Sequence, residues 1–308
     1  MEPGEPRVNI TITVTSLANR PGKRRYPGPV TSPTSPVPGV AHTDYSRADD
    51  LSLALRLADA AASASMARFD AVDLDVQTKP DASPVSEADL AAERAIRDIL
   101  ANERPGDGIL GEEFGTTGDS RRQWIIDPID GTANYVRGIP MWGNLIALAV
   151  DGLPVVGVVG IPAIGRRWWG AEGLGAWTNT PEGGERSLQV STIDSLDEAS
   201  VSFQSIAQWD ETGHLDALIA LTRRVKRDRG YGDVWPYMLL AEGRLEFVAE
   251  FGVQEYDIAA VVPIVTEAGG RVTSFEGEQT LSARSVMATN GILHQDFLDF
   301  VHSATPGA

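Results

Sequence analysis

Residues 124–132 of the chain read WIIDPIDGT, and this stretch decides both the fold and the chemistry that the sequence predicts. An apolar run, typical of a buried strand, ends in two carboxylates, Asp127 and Asp130. Pro128 and Gly131 force a tight bend, so both carboxylates can face one point, and the helix start that follows turns free N–H groups toward an anion. Hard oxygen ligands in this arrangement suit Mg²⁺. Taken alone, a simple polar turn explains the stretch equally well.

Other acidic residues are open to two interpretations in the same way. Glu112 and Glu113 follow a short apolar stretch, where adjacent carboxylates repel each other unless a cation or solvent separates them; an exposed loop is the alternative. Asp257 precedes an apolar helix and could be only its N-cap. Asp89 follows Ser86 by three residues, the spacing of a capping box, and the first helical turn is also compatible with a metal-facing side chain.

Composition limits the possible functions. The 308 residues are 42% hydrophobic, enough for one large domain or two closely packed ones. The absence of cysteine excludes disulfides and thiolate chemistry. A net charge of −17 argues against nucleic-acid binding. No apolar run is long enough to cross a bilayer and no signal peptide is recognisable, so we expect a cytoplasmic protein that does not bind membranes.

The order of predicted elements indicates an α/β protein. Residues 1–45 are rich in proline, glycine and serine and are predicted to be a flexible tail, although Val8–Val14 alternate as a strand would. The domain is predicted over 46–305, with halves that meet near residue 190. Asp49 or Asp50 is expected to cap a first helix that ends near Met66. Further helices are predicted at 86–100, 215–225, 234–242, 257–268 and 292–301. Strands are predicted near 72–78, 108–110, 124–126, 145–150, 155–161, 167–171, Val201, Phe247, Val272 and Val286.

The acidic stretches described above occur together in an order that resembles the inositol monophosphatase-like family of metal-dependent phosphatases. The resemblance extends from about residue 50 to residue 302. The resemblance rests on three motifs: Lys79-Pro80-Asp81 leading to Asp89 and Glu93, Gly111-Glu112-Glu113 leading to 124–135, and Tyr256-Asp257 leading to 267–270. It implies a layered α-β-α-β-α sandwich, usually a homodimer, that needs two or three Mg²⁺ ions per subunit and acts on a small phosphate monoester.

The resemblance also assigns roles by motif. The implied metal ligands are Glu112, Asp127 and the carbonyl oxygen of Ile129 for a first ion, Asp127, Asp130 and Asp257 for a second, and Asp89 near a weaker third. Thr132 would position the attacking water, Glu112 would accept its proton through Thr132, and the amides of Gly131 and Thr132 would receive the phosphate. Asp130 completes the catalytic set. Two metals would activate the water and stabilise the leaving alkoxide.

The substrate is predicted from Asp233 and Glu250. Asp233 stands where the family usually has a small residue, and Glu250 matches the family's substrate-contacting acid. Two acids would repel a phosphate ester unless its other end is cationic. Together with 136–140 and 166–169, Asp233 resembles the histidinol-phosphatase branch, which implies L-histidinol phosphate as substrate, with Arg229 as a third substrate-binding candidate. The alternative for Asp233 is the N-cap of the following helix.

Other functions stay open at this point. The same chemistry could act on inositol-1-phosphate or fructose-1,6-bisphosphate, and a phosphoadenosine phosphatase is disfavoured because no adenine-binding addition is recognisable. A non-catalytic regulatory protein that kept the fold is the alternative of another class. Such a protein would be expected to lose at least one metal carboxylate, and this sequence retains them all.

Overall fold

The computed structural model describes residues 45–304, so all but the last residue of the predicted tail, including its alternating segment Val8–Val14, lies outside the described residues. The described chain begins with a helix and a short hairpin. These are α1 (Arg47–Met66), β1 (Val76–Thr78) and β2 (Pro84–Ser86). The strand predicted over 72–78 is therefore limited to its last three residues. No helix among residues 45–304 is long and apolar enough to span a bilayer.

Eight strands form a large sheet. They are β3 (Gly108–Gly111), β4 (Gly115–Thr117), β5 (Arg122–Asp130), β6 (Gly143–Val150), β7 (Leu153–Ile161), β8 (Arg166–Ala171), β9 (Gly175–Asn179) and β10 (Glu185–Ser187). Their order is β10-β9-β8-β7-β6-β5-β3-β4. Neighbours are antiparallel except β3 and β5, which run parallel, so the carboxyl ends of these two strands lie at one edge of the sheet.

Five later strands form a second sheet. They are β11 (Ser200–Phe203), β12 (Arg227–Arg229), β13 (Phe247–Phe251), β14 (Arg271–Thr273) and β15 (Ser285–Thr289), in the order β12-β11-β13-β15-β14. β11 is parallel to both of its neighbours. Each predicted half thus contributes one of the two large sheets, and the first half also contains the β1–β2 hairpin. The division of the domain near residue 190 remains a prediction.

Helices cover both sheets. Besides α1 they are α2 (Glu87–Glu103), α3 (Thr132–Val136), α4 (Ile206–Glu211), α5 (Leu215–Thr222), α6 (Trp235–Ala241), α7 (Glu255–Ile258), α8 (Val261–Glu267) and α9 (His294–Ala304). Apolar residues of α1 and α2 pack with the outer face of the large sheet, those of α6 and α8 lie between the sheets, and those of α5 and α9 pack with the far face of the small sheet. The predicted α-β-α-β-α sandwich is confirmed.

Two details of the predicted helices are wrong. The N-cap of α1 is Ser46, whose hydroxyl accepts from the Asp49 amide at 3.1 Å while the Asp49 carboxylate accepts from Ser46, so neither Asp49 nor Asp50 is the cap. Asp50 is instead buried and accepts from Arg122 at 2.7 Å. The helix predicted over 257–268 is divided into α7 and α8.

Gly157 of β7 allows the start of α8 to approach the large sheet. A Cβ atom at this position would overlap the carbonyl oxygen of Ala260 and contact the ring of Pro263 at 2.8 Å. Gly160, in the same strand, has no atom within 4 Å of the corresponding position. The two glycines therefore form a matched pair, in which one is required for packing and the other is not.

We expect Gly157→Ala to lower the free energy of unfolding by about 1–3 kcal/mol, because α8 must move away from the sheet to admit the methyl group. Gly160→Ala should leave it within about 0.5 kcal/mol of the wild-type value. Urea unfolding followed by tryptophan fluorescence measures both. Equal effects of the two substitutions would contradict the close contact between β7 and α8.

Candidate metal centre

A β-bulge at the end of β5 turns Asp127 and Asp130 toward the same region. On β6, Asp127 pairs with Leu145 and Asp130 pairs with Gly143, so three steps along β5 oppose two steps along β6. The extra residue cancels the alternation of side chains that a regular strand imposes. The carbonyl oxygen of Pro128, inside the bulge, accepts from the Asn144 side chain at 2.6 Å, which fixes the bend. The stretch is therefore a strand end built around two carboxylates, and not a simple polar turn.

Glu112 reaches the same edge of the sheet from β3. Its amide donates to the carbonyl oxygen of Ile126 at 3.1 Å, which extends the parallel pairing of β3 with β5. Lys79 lies in the β1–β2 turn, and its Nζ contacts Oε1 of Glu112 at 2.7 Å and Oε1 of Glu113 at 2.8 Å. The side chains of Glu112 and Glu113 are 17% and 4% exposed, so the interpretation of this pair as an exposed loop is wrong.

Asp257 joins the cluster from the second half of the chain. It is the N3 residue of the capping box at the start of α7. Its Oδ2 accepts from the amide of Gln254, which is the N-cap, at 2.7 Å. One carboxylate oxygen each of Asp127, Asp130 and Asp257 lie within 4.8 Å of one another. The capping role and the cluster are thus compatible, since both need Asp257 in the first helical turn.

The electrostatics of this cluster are unfavourable without a cation. Burial, with the carboxylates of Glu112, Asp130 and Asp257, raises the pKa of Asp127 well above its usual range. Burial and neighbouring carboxylates do the same for the pKa of Asp130. Burial raises the pKa of Asp257 to about 6 despite its bond from Gln254. The surroundings of these groups therefore oppose their ionised form as long as no cation is bound.

A divalent metal fits this donor set. Asp127 is 2% exposed, and its Oδ1 has no hydrogen-bond partner among the described residues. A buried anionic oxygen without a partner costs free energy that a cation can recover. Carboxylate oxygens are also the ligands that Mg²⁺ and Ca²⁺ prefer. Of the predicted ligands, Asp127, Asp130 and Asp257 are brought together, and Glu112 lies near enough to raise the pKa of Asp127 and of Asp257.

Thr132, Asp89 and Ile129 meet beside these carboxylates. The Thr132 hydroxyl donates to Oδ1 of Asp89 at 3.0 Å and to the carbonyl oxygen of Ile129 at 2.9 Å. Asp89 is fully buried, and its Oδ2 forms the expected capping box with Ser86 at the start of α2. In the part of the chain that the structure describes, Asp89 is the carboxylate that contacts Thr132. Gly131, with φ of +83°, forms the turn before α3.

A pocket beside the cluster contains a second group of acids. It is lined by Asp130, Gln204, Gln208, Asp233, Val234, Tyr237, Glu250, Phe251, Gly252, Val253 and Asp257. Oδ2 of Asp233 accepts from the Asn134 side chain at 2.7 Å, and Oε1 of Glu250 accepts from the Tyr237 hydroxyl at 2.5 Å. Burial raises the pKa of Glu250 to about 8 and also raises the pKa of Asp233.

Asp233 does not cap the helix that follows it. The N-cap of α6 is Val234, without a side-chain cap bond, and Asp233 itself has φ of +48°. Its carboxylate lies against Gly131, where a Cβ atom would be 3.1 Å away. The capping alternative for Asp233 is therefore wrong. Arg229, in contrast, is exposed on β12 and donates to the neighbouring carbonyl oxygen of Asp228, and it is not one of the residues that line the pocket.

Several contacts of the site were not predicted from the sequence. Besides the bond between Thr132 and Asp89, they include those of Lys79 with Glu112, Asn134 with Asp233, Gln204 with Asp233, and Tyr237 with Glu250. Gln204 follows β11 and Tyr237 lies in α6, and neither position carries a local signal of chemistry. The motif that begins at Lys79 was recognised in the sequence, but a function was assigned only to Asp89 within it and none to Lys79.

The chain matches the family model described as the inositol monophosphatase family over residues 47–305. It is 50% identical over 258 residues to a histidinol-phosphatase of Streptomyces coelicolor, and this match covers 82% of this chain and 97% of that protein. It is 49% identical over 251 residues to a histidinol-phosphatase of Mycobacterium tuberculosis, covering 81% and 96%. The solved structure of an inositol monophosphatase from Zymomonas mobilis has a TM-score of 0.73 and 34% identity, and the match covers 84% of this chain and all of that one.

We expect Mg²⁺ to stabilise the wild-type protein by about 2.7 kcal/mol at a concentration one hundred times its dissociation constant, because only the folded state assembles the cluster. Asp127→Asn should be as stable as or more stable than the wild type without metal, since it replaces a buried acid whose ionised form the neighbouring carboxylates oppose, and should gain little from Mg²⁺.

Thermal unfolding with increasing Mg²⁺ measures both effects. Asp151→Asn is the matched control, because Asp151 is exposed and lies beyond the opposite end of β6. It should respond to Mg²⁺ as the wild type does. A full Mg²⁺ response in Asp127→Asn would exclude this residue as a ligand.

Proposed function

Because the chain belongs to the inositol monophosphatase family, we propose that it is a Mg²⁺-dependent phosphatase that hydrolyses L-histidinol phosphate to L-histidinol and phosphate. The observation that carries the choice of substrate is the position of Asp233. Its carboxylate lines the pocket with Glu250, next to the metal cluster, and does not serve as a helix cap. The two histidinol-phosphatases that are about half identical to this chain support the same choice.

The charge of the pocket favours an ester with a cationic end. Asp233 and Glu250 lie in a protein of net charge −17, and the substrate brings its own negative phosphate. Burial raises the pKa of both acids, and a neutral polyol phosphate brings no cation to stabilise their ionised forms. An ammonium group two carbons from the ester oxygen would bring a positive charge to this pair and could donate to both, and charge-assisted hydrogen bonds are the strong ones.

The metal ligands in this proposal are Glu112, Asp127, Asp130, Asp257 and the Ile129 carbonyl oxygen, with Asp89 beside a third position. When bound, Mg²⁺ supplies Lewis-acid activation of a water molecule and stabilises negative charge on the leaving oxygen. Two or three ions would balance a cluster of this charge. The identity and number of the ions belong to the proposal.

The residues of the chain position and deprotonate the attacking water. The Thr132 hydroxyl has one proton, which it directs toward Asp89 and the Ile129 carbonyl oxygen, so its lone pairs remain free to accept from water. Asp89, whose pKa burial raises, is the acceptor for a proton that leaves through Thr132. This replaces the route through Glu112 expected from the sequence, because Thr132 contacts Asp89. The amides of Gly131 and Thr132 would receive the phosphate.

Asp257→Asn should fold normally and lose nearly all Mg²⁺-dependent turnover, by roughly three orders of magnitude, because a neutral amide cannot replace a charged metal ligand. The Asn side chain can still accept from the Gln254 amide, so the capping box of α7 is kept. Steady-state release of phosphate from histidinol phosphate measures the loss.

Asp49→Asn is the matched control, because Asp49 has the same third position in the capping box of α1 and lies outside the site. It should keep wild-type turnover. Near-normal turnover of Asp257→Asn, with its fold intact, would contradict the assignment of the metal site.

Asp233→Asn should lower kcat/KM for histidinol phosphate by about 10- to 100-fold, the effect of losing one charge-assisted hydrogen bond. The same variant should change kcat/KM for inositol-1-phosphate by less than about threefold, because that substrate has no cation to lose. The bond from Asn134 can be kept by the oxygen of the new amide.

A panel of histidinol phosphate, inositol-1-phosphate and fructose-1,6-bisphosphate, assayed with and without Mg²⁺, provides the comparison. Equal losses on all three would mean that Asp233 acts on the fold of the pocket and not on the substrate's charge. The homodimer and the cytoplasmic location expected from the sequence remain predictions.

A further inference from the structure

Glu93 is a buried acid of α2 that the proposed function leaves without a task. It follows Asp89 by one helical turn and precedes Arg97 by one, so the three side chains share one face of the helix. Its side chain is fully buried. A buried carboxylate is costly unless donors surround it, so the donors around Glu93 show which part of the chain it holds.

Two of these donors are backbone amides of the turn between β3 and β4. Oε2 of Glu93 accepts from the Glu113 amide at 2.8 Å, and Oε1 accepts from the Phe114 amide at 3.3 Å. The third donor is Nε of Arg97, at 2.7 Å from Oε1. A side chain of α2 thus binds the turn that follows β3 through its backbone.

Arg97 connects the same carboxylate to β4. Its guanidinium donates to the carbonyl oxygen of Gly115 at 2.5 Å and to the hydroxyl of Thr117 at 2.9 Å. These bonds restrict the movement of Glu93 against the turn, because its ion-pair partner is itself anchored on both sides of the pair.

Gly111 permits the close approach of Glu93 to β3. A Cβ atom at this position would overlap the Glu93 carboxylate. At Gly108, the first residue of the same strand, the nearest heavy atom to a Cβ would be the carbonyl oxygen of Arg122, at an ordinary 3.6 Å. The end of β3 is therefore shaped around Glu93, whereas its beginning is not.

Glu112 lies between two fixed points of the backbone. Its own amide donates to the carbonyl oxygen of Ile126 on β5, the strand of the carboxylate cluster, at 3.1 Å. The next amide, that of Glu113, donates to Glu93 on the helix that also carries Asp89. The backbone of Glu112 is thus set relative to both elements that hold the other acids of the first half of the chain.

We propose that Glu93 is a positioning residue for metal binding, which holds the turn after β3 so that the Glu112 carboxylate meets the first ion. The inference rests on the proposed function, in which Glu112 is a metal ligand. Glu93 acts through the backbone of the turn and is not itself a ligand. Replacing a group that orients a metal ligand typically weakens metal binding by about 10- to 100-fold.

Two substitutions separate position from charge. Glu93→Asp keeps the charge, but a carboxylate one methylene shorter cannot keep all three bonds. Glu93→Gln keeps the length, but it has a single oxygen for donors that two oxygens now accept. We expect each to raise the dissociation constant for Mg²⁺ about tenfold. A carboxylate that merely attracts the ion by its charge would lose this effect in Glu93→Gln alone.

Thermal unfolding with increasing Mg²⁺ measures the change without substrate. A site that binds ten times more weakly needs about ten times more Mg²⁺ for the same stabilisation. Each variant is compared with its own unfolding temperature without metal, so a loss of stability by itself does not count. The Mg²⁺ concentration for half-maximal release of phosphate from histidinol phosphate should rise by the same factor.

Glu103→Gln is the matched control. Glu103 lies at the end of the same helix, and its carboxylate accepts from Arg56 at 2.6 and 2.7 Å, away from the cluster. This variant should bind Mg²⁺ as the wild type does.

Gly111→Ala reaches the same contact while Glu93 itself is unchanged. Its methyl group should displace the flexible end of Glu93, so the protein folds and binds Mg²⁺ more weakly. Gly108→Ala should bind Mg²⁺ as the wild type does. This pair decides the question also if a substitution of Glu93 prevents folding.

The double variant Glu93→Asp with Glu112→Gln shows whether Glu93 acts through Glu112. If it does, the loss of Mg²⁺ affinity in the double variant should equal that of Glu112→Gln alone. Losses that add up in full would mean that Glu93 acts by another route, and they would overturn the inference.

The outcomes distinguish this inference from the proposed function. A wild type that Mg²⁺ does not stabilise overturns the proposed metal site and the role of Glu93 with it. A wild type that Mg²⁺ stabilises but that does not hydrolyse histidinol phosphate contradicts the proposed substrate alone. An unchanged Mg²⁺ affinity in the Glu93 variants, or a loss confined to Glu93→Gln, overturns the role of Glu93. A loss in both variants that disappears in the Glu112→Gln background supports it.

Discussion

The repulsion between buried carboxylates at the end of β5 is the constraint on which the rest of the structure depends. Asp127, Asp130 and Asp257 approach within a few ångströms of one another, and burial opposes the charge of each. Such a cluster is costly unless a cation compensates it. The elements that carry these carboxylates are packed together, since β5 is a central strand and α7 packs beside it. Their packing offsets the repulsion. The fold thus brings the proposed metal ligands together, which is the preorganisation that electrostatic catalysis requires.

The two sheets have different tasks at the site. The bulge of β5 and the parallel strand β3 provide Asp127, Asp130 and Glu112, whereas Asp233 and Glu250 come from segments associated with the second sheet. A hydrogen bond connects the carboxylates of the first sheet with the segment that holds Asp233: the amide of Val234 donates to Oδ2 of Asp130 at 2.7 Å. Asp130, a member of the carboxylate cluster, therefore also fixes the start of α6 and, through it, the position of Asp233.

The sequence was sufficient for the fold class, and it identified the acids of the site through three motifs taken together, since each short pattern alone had a second interpretation. The acids of residues 124–132 and the capping box at Asp89 are visible within a few positions, whereas Asp257 was considered as an N-cap and the N-cap is Gln254. The pairing of Thr132 with Asp89 and of Lys79 with Glu112 joins residues more than thirty positions apart, which no local pattern encodes. The same reason explains the wrong cap of α1, where Asp50 looked like a cap but pairs with Arg122 across the core.

The separation of tasks has a consequence for how substrate choice can change in this fold. Asp233 adopts a left-handed conformation that Gln204 holds in place, and Glu250 is held by Tyr237. None of these four side chains is among the proposed metal ligands. Substitutions among them can alter the charge and shape presented to the alcohol portion of the ester while the carboxylates around β5 keep their geometry. Specificity and hydrolysis therefore depend on different side chains, and the two sets meet at Asp130, which accepts from the Val234 amide and whose pKa Asp233 and Glu250 raise.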